Sequence, residues 1–155
     1  PSLPDRVKLL LPGRGALLEA VKAQARDAGL ARRVLFPGFV TDIPGWLAAS
    51  DIAVSSSRSE GLPFNIMEAM AAGLPVVASE VKGHTDLVAQ GENGLLCPYV
   101  DAASFAAAIL RLTEDSALRA QMGLAGKAQV QRYRLDTVLP QVMALYLSAA
   151  KETNT

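Results

Sequence analysis

Residues Asp51 to Ala78, DIAVSSSRSEGLPFNIMEAMAAGLPVVA, change their hydrophobic period twice. Asp51 to Ser55 is a short apolar run of the length and composition of a buried strand. Ser56 to Glu60 is a polar loop. Pro63 fits the first position of a helix, where a missing N–H costs nothing, and Phe64 to Ala72 continue that helix until Gly73 ends it. Pro75 to Ala78 is strand-like again. Strand, helix and strand in short succession form the unit of a parallel sheet, because two parallel strands need a crossover between them.

The flanks repeat the unit. On the N-terminal side, Val7 to Leu11 reads as a buried strand stopped by Pro12-Gly13-Arg14-Gly15. Ala16 to Ala28 puts Leu17, Leu18, Val21, Ala25 and Ala28 on one helical face, with Gly29 as its C-cap. Arg33 to Phe36 is a strand ended by Pro37-Gly38, and Asp42 caps a short helix through Trp46 to Ser50. On the C-terminal side, a small helix covers Thr85 to Ala89, and Gly94 to Cys97 is a fifth strand. After Pro98 only helices are expected: Asp101 to Thr113, Ser116 to Arg132 and Thr137 to Lys151, with a polar tail, Glu152 to Thr155, that frays. The fold class is therefore α/β: one doubly wound parallel sheet, Rossmann-like, with right-handed crossovers and extra C-terminal helices, in a single domain over 1–155. The helical third is too thin to stand alone and is expected to pack on the sheet. Its last helix, with Val138, Val142, Leu145 and Tyr146 on one side, either packs back on the sheet or touches a domain outside this chain.

Composition narrows the function. Half of the 155 residues are hydrophobic and 19% are charged, which excludes disorder. Fifteen basic residues balance fifteen acidic ones, so no net charge draws the chain to nucleic acid or anionic lipid. The single cysteine, Cys97, cannot form an internal disulfide and reads as a buried structural thiol. With no signal peptide and no apolar run of the ~18 residues that span a bilayer, the expected setting is cytoplasmic. The chain begins at Pro1 almost directly on a strand, and is read as a piece of a longer protein.

Ligands of open α/β sheets bind outside the carboxyl ends of the strands. Ser55 to Glu68 occupies that place. A helix starting near Pro63 offers free N–H groups from Phe64 and Asn65, with Gly61 and Leu62 just before, and such a terminus holds a phosphate. Gly61 lets the backbone come close. Glu60, in the loop before the helix, suits sugar hydroxyls, because an ionised carboxylate only accepts hydrogen bonds. Glu68 is flanked by Met67, Ala69, Met70 and Ala71, so it is expected in apolar surroundings, where a ribose diol would satisfy it.

Glu60-Gly61-Leu62-Pro63-Phe64-Asn65-Ile66-Met67-Glu68-Ala69-Met70-Ala71-Ala72-Gly73-Leu74-Pro75-Val76-Val77-Ala78 resembles the E-x7-E signature of GT-B retaining glycosyltransferases. It is most similar to the large family 4 group, the glycosyl transferases group 1, in their C-terminal donor-binding domain. Pro12-Gly13-Arg14-Gly15, Val34 to Val40 with its V-x-F-x-G-x-V pattern, Ser50-Asp51-Ile52 and Glu92-Asn93-Gly94-Leu95-Leu96 resemble further segments of the same domain. The resemblance implies that Glu60 contacts the donor sugar as the catalytic residue and that Glu68 binds ribose hydroxyls. It implies a diphosphate on the amides of Leu62, Phe64 and Asn65, a base near Val40 and Asp42, and a nucleotide against the Gly13–Gly15 turn.

The same resemblance implies a parent enzyme that moves a hexose from a UDP- or GDP-sugar to a glycan or lipid-linked acceptor, with retention. Neither a metal nor another cofactor is implied. The acceptor domain, and the first strand and helix of this domain with an Arg and a Lys for the diphosphate, are expected outside this chain, which alone would be inactive. Any membrane contact would run through that other domain. Lys82-Gly83 stands where Gly-Gly is commoner and points towards capsule or exopolysaccharide synthesis. The alternatives are a non-catalytic nucleotide-binding or assembly module of this fold, and a sugar-nucleotide epimerase, which a single histidine disfavours.

Other residues carry less. His84, the one histidine, follows Gly83 near the carboxyl end of a strand, which allows a place at the rim of the site, but it reads first as a helix-capping or solvent-exposed residue; alone it makes no metal site. Gly13-Arg14-Gly15 lacks the third glycine of a dinucleotide fingerprint. Arg58 and Lys82 are loop cations, read as surface charges within reach of a diphosphate. Ser55-Ser56-Ser57 lacks the glycines of a nucleophile elbow, which excludes hydrolase chemistry of that type.

Overall fold

A computed structural model describes residues 3–152. The elements follow in the order β1 (Leu9–Pro12), α1 (Leu18–Asp27), β2 (Val34–Gly38), α2 (Ile43–Ala48), β3 (Ala53–Ser55), α3 (Phe64–Ala71), β4 (Val76–Ser79), α4 (His84–Leu87), β5 (Gly94–Cys97), α5 (Ala102–Glu114), α6 (Ser116–Val130), a 3₁₀ turn (Gln131–Tyr133) and α7 (Leu135–Glu152). Every strand and helix expected from the sequence is present, with ends shifted by a few residues. Of the tail expected to fray, Glu152 to Thr155, Glu152 ends α7 and 153–155 lie outside the described residues.

The sheet is not continuous. β1 pairs with β2, and β3, β4 and β5 pair in that order; all pairings are parallel. Among the described residues no hydrogen bond joins the two sheets. The single sheet expected from the sequence is thus a pair and a triple. In the doubly wound order 3-2-1-4-5-6, such a split falls where the first strand would lie, between the strands here called β1 and β3.

The core sits on the triple. β4 is buried along its whole length, as a central parallel strand must be when helices cover both faces. Val76 and Ala78 point to one side, where Ile66 and Met70 of α3, Leu87 of α4, Val88 and Val130 meet them. Val77 points to the other, with Leu95, Cys97, Leu112 of α5 and Met122 of α6. Each Val, Leu, Ile or Met among them contributes about 1.5–3 kcal/mol relative to exposure. By contrast, Leu9 and Leu11 of β1 and Leu35 of β2 are more than a third exposed.

Acidic caps set the helix starts. Asp42 accepts from Gly45 N at 3.0 Å, as the sequence predicts. Asp101 accepts from the backbone N–H groups of Ala103 and Ser104 at 3.0 and 3.1 Å, and Asp115 from Leu118 N at 2.8 Å. α5 and α6 pack on the triple. α7 packs chiefly on the 3₁₀ turn and leaves Leu135, Leu139, Leu145, Tyr146 and Leu147 exposed. Of the two placements open for the last helix, the described residues do not show packing on the sheet; Arg134, extended after the 3₁₀ turn and paired with Asp136 at 3.0 Å, redirects the chain there.

Candidate functional site at the carboxyl ends of the strands

Within each sheet the strands are parallel, so the turns after them leave from one edge. β3 ends at Ser55, and the polar loop that follows leads to α3. Pro63 is buried and extended (φ −77°, ψ 95°); it is the N-cap of α3, one place before its expected position. Its carbonyl accepts from Ile66 N at 3.1 Å and Met67 N at 3.2 Å. No side chain caps the helix. Among the described residues no hydrogen bond engages the N–H of Gly61, Leu62, Phe64 or Asn65, and all four residues are exposed. These are the orphan donors of a helix start, at its positive end.

Glu60 is half-buried in the loop before these donors. Glu68 is exposed, which corrects the apolar surroundings expected for it. The reason is helical phase: Ile66, Ala69 and Met70 turn inward, and a residue's sequence neighbours lie about 100° away around a helix. Among the described residues neither carboxylate has a hydrogen-bond or ion-pair partner. Leu62 and Phe64 are 45% and 67% exposed beside them, a high value for apolar side chains this large.

The remaining predicted residues gather at the ends of β1 and β2. Gly13 donates to the Gly38 carbonyl at 2.7 Å and ties the two ends together. The Arg14 guanidinium stacks over the Phe39 ring, 4.4 Å from its centroid. Gly15 is exposed and its carbonyl accepts from Leu18 N at 3.1 Å. Val40 is half-buried, and the Asp42 carboxylate is engaged as the α2 cap. No described hydrogen bond links this group to the Glu60–Glu68 group. Arg58 and Lys82 are exposed and form no ion pair among the described residues. The described residues also hold no group of three or more His, Cys, Asp and Glu placed to bind a metal ion, and no helix long and apolar enough to cross a membrane. Burial, with the Asp101 charge nearby, pushes the Cys97 thiol above its ordinary pKa, in keeping with a structural role.

Residues 1–115 match the model of the glycosyl transferases group 1. The chain belongs to this family. It is 38% identical over 117 residues to UDP-Gal:alpha-D-GlcNAc-diphosphoundecaprenol alpha-1,3-galactosyltransferase of Escherichia coli, covering 75% of this chain and 30% of that protein. To phosphatidyl-myo-inositol mannosyltransferase of Mycobacterium leprae it is 34% identical over 149 residues, 94% of this chain and 39% of the other. Anabaena Alr3699/HepE, solved in complex with UDP, superposes with a TM-score of 0.89 at 31% identity, over 94% of this chain and 42% of that one. The chain thus spans 30–42% of the length of these three group 1 relatives and neighbours.

For a group 1 glycosyltransferase chain, one part of this edge was not legible. His84 is fully buried, not capping or exposed. Its ring contacts Ser55 and Ser79, the last residues of β3 and β4. The signal was present in the serines at both strand ends, but which of them faces the ring depends on strand register, and a single sequence does not give it.

Proposed function

We propose that this chain is the donor-binding domain of a two-domain, retaining glycosyltransferase that moves a hexose from a nucleotide diphosphate sugar, UDP-linked in the first instance, to a glycan or lipid-linked acceptor. The observation that carries the reading is the start of α3. Unengaged N–H groups of Leu62, Phe64 and Asn65 stand between two carboxylates, Glu60 and Glu68, that have no partner among the described residues. Amides there neutralise a diphosphate leaving group; the carboxylates accept from hydroxyls. Glu68 takes the ribose diol, and Glu60 faces the sugar at the reacting carbon. Gly61 admits the ligand backbone-close, the Gly13–Gly15 turn lies against the nucleotide, and Val40 and Asp42 border the base. Catalysis then rests on leaving-group stabilisation and positioning. The choice of uracil is supported by the UDP in the HepE structure.

The same proposal covers the domain plan. The break between the β1–β2 pair and the β3–β4–β5 triple falls where the doubly wound order has its first strand, and the relatives are more than twice as long. A further parallel strand of the parent protein fills the break, an acceptor domain completes the cleft, and the isolated chain is inactive. Product analysis tests the function. The full-length protein is incubated with UDP- and GDP-hexoses and an acceptor extract, and the products are resolved by mass spectrometry and anomeric NMR. Glycosyl transfer with the donor's anomeric configuration is expected. An unchanged donor would leave the non-catalytic module, and an epimerised donor the epimerase, as the better account.

A further inference from the structure

The ring of His84 is 0% exposed and uses both nitrogens. Nδ1 lies 2.8 Å from the Ser79 carbonyl oxygen, which only accepts, so Nδ1 carries the proton. In a neutral ring Nε2 is then the acceptor, and Ser55 Oγ, 3.1 Å away, is placed to donate to it. Ser79 Oγ donates to the Ser57 carbonyl at 2.5 Å and, 3.1 Å from Nδ1, shares the ring proton. One side chain thus joins the last residue of β3, the last residue of β4 and, through Ser79, the loop three residues before Glu60. Gly83, next to His84, backs the Glu60 main chain. These bonds begin where the parallel ladder of β3 and β4 stops, at Ser55 opposite Ala78. A buried imidazole must satisfy its ring nitrogens, and the partners that do so here lie at two strand ends, one of them bonded on to the loop before Glu60.

We infer that His84 is a positioning residue: its imidazole fixes the β3–α3 loop, and through it the Glu60 carboxylate, against the ends of β3 and β4. The inference rests on the reading of Glu60 as the group that faces the donor sugar. The two are tested apart in the full-length protein. In ¹⁵N-histidine spectra, the signal lost in His84→Asn is that of a neutral ring protonated at Nδ1; a ring protonated at Nε2 would overturn the bonding. In kinetics, His84→Phe keeps an aromatic ring without its bonds and lowers kcat by ~10–100-fold, the scale of a misplaced catalytic group. UDP affinity changes by less than about threefold, since Glu68 and the amides of Phe64 and Asn65 sit on α3 and only the Leu62 amide among the proposed UDP contacts lies in the loop. His84→Asn, whose amide can replace the Nδ1–H donor, recovers part of kcat. A folded His84→Phe protein with wild-type kcat, or with kcat and UDP affinity falling together, overturns the role. Should that variant not fold, Ser55→Ala and Ser79→Ala are judged by the same split. A wild-type protein that transfers no sugar removes the glycosyltransferase reading instead, and the spectra still decide the bonding.

Discussion

Gly83 lies against the main chain of Glu60 so closely that a Cβ built on it would stand 2.7 Å from the Glu60 carbonyl oxygen and 2.9 Å from its Cβ. Gly83 also has φ +89°, a conformation that side chains rarely adopt. Close approach and backbone conformation therefore both demand glycine, for separate reasons. Gly83→Ala is expected to lose about 1–3 kcal/mol of stability from backbone strain, and more if the Glu60 loop resists displacement. Urea unfolding measures the first effect and kcat for transfer the second. An alanine variant as stable and active as wild type would show that the loop yields freely.

Glu68 is solvent-exposed and has no partner among the described residues, so its replacement disturbs little of the fold. Glu68→Ala in the full-length protein is expected to leave the melting temperature within about a degree, because exposed helix substitutions change stability by roughly 0.5 kcal/mol or less. UDP affinity should fall by ~10–100-fold, since hydrogen bonds to a charged group contribute about 1.5–3 kcal/mol. 2′,3′-Dideoxy-UDP should lose the same factor on wild type and nothing further on the variant. Equal UDP binding by both proteins, measured by calorimetry, would remove the ribose role.

The contrast between Glu68 and His84 shows what a single sequence carries. The alternation of apolar runs with helical periods located all five strands, because the period belongs to the local chain. The placement of Gly61 to Asn65 at a strand's carboxyl end followed from connectivity alone. Glu68 was misjudged because its neighbours in sequence are apolar while its neighbours in space are solvent. His84 was misjudged because its partners, Ser55 and Ser79, are brought to it by the pairing of Ser55 with Ala78, a long-range fact. The break between β1 and β3 accords with the resemblance, which puts the domain's first strand outside this chain; the residues alone show each strand but not the neighbour it pairs with.

Gly123 tests the packing beneath the site. It lies in α6, and a Cβ there would collide with the Gly73 carbonyl oxygen at the end of α3. Gly73 itself has φ +82°, so the α3 terminus cannot relax by simple rotation without a second cost. In an exposed helix interior, glycine to alanine would gain up to about 1 kcal/mol from propensity. Here overpacking should reverse the sign and cost about 1–3 kcal/mol. Gly91→Ala, with φ +80° but open space around it, isolates backbone strain from collision. A Gly123→Ala protein more stable than wild type in urea would mean that α6 and α3 are not held this tightly.

Asp101 makes part of the fold's stability depend on pH in the acid range. It caps α5, and its carboxylate accepts from the Ser104 hydroxyl and from the backbone N–H groups of Ser104 and Ala103. The hydroxyl bond, then the backbone bonds, hold its pKa below the ordinary carboxylate value of about 3.9. A group whose folded pKa is depressed stabilises the fold above its unfolded pKa, and that contribution is lost as pH falls through the folded value. Asp136, held down by Arg134, acts with the same sign at the start of α7. Asp101→Asn keeps an oxygen acceptor but not the charge, so wild type should exceed it in stability at pH 7, and the gap should close as pH drops below about 4. Thermal melts of both proteins from pH 7 to pH 3 measure this. A gap that stayed constant with pH would mean that the charge of Asp101 contributes nothing, and that its cap acts through geometry alone.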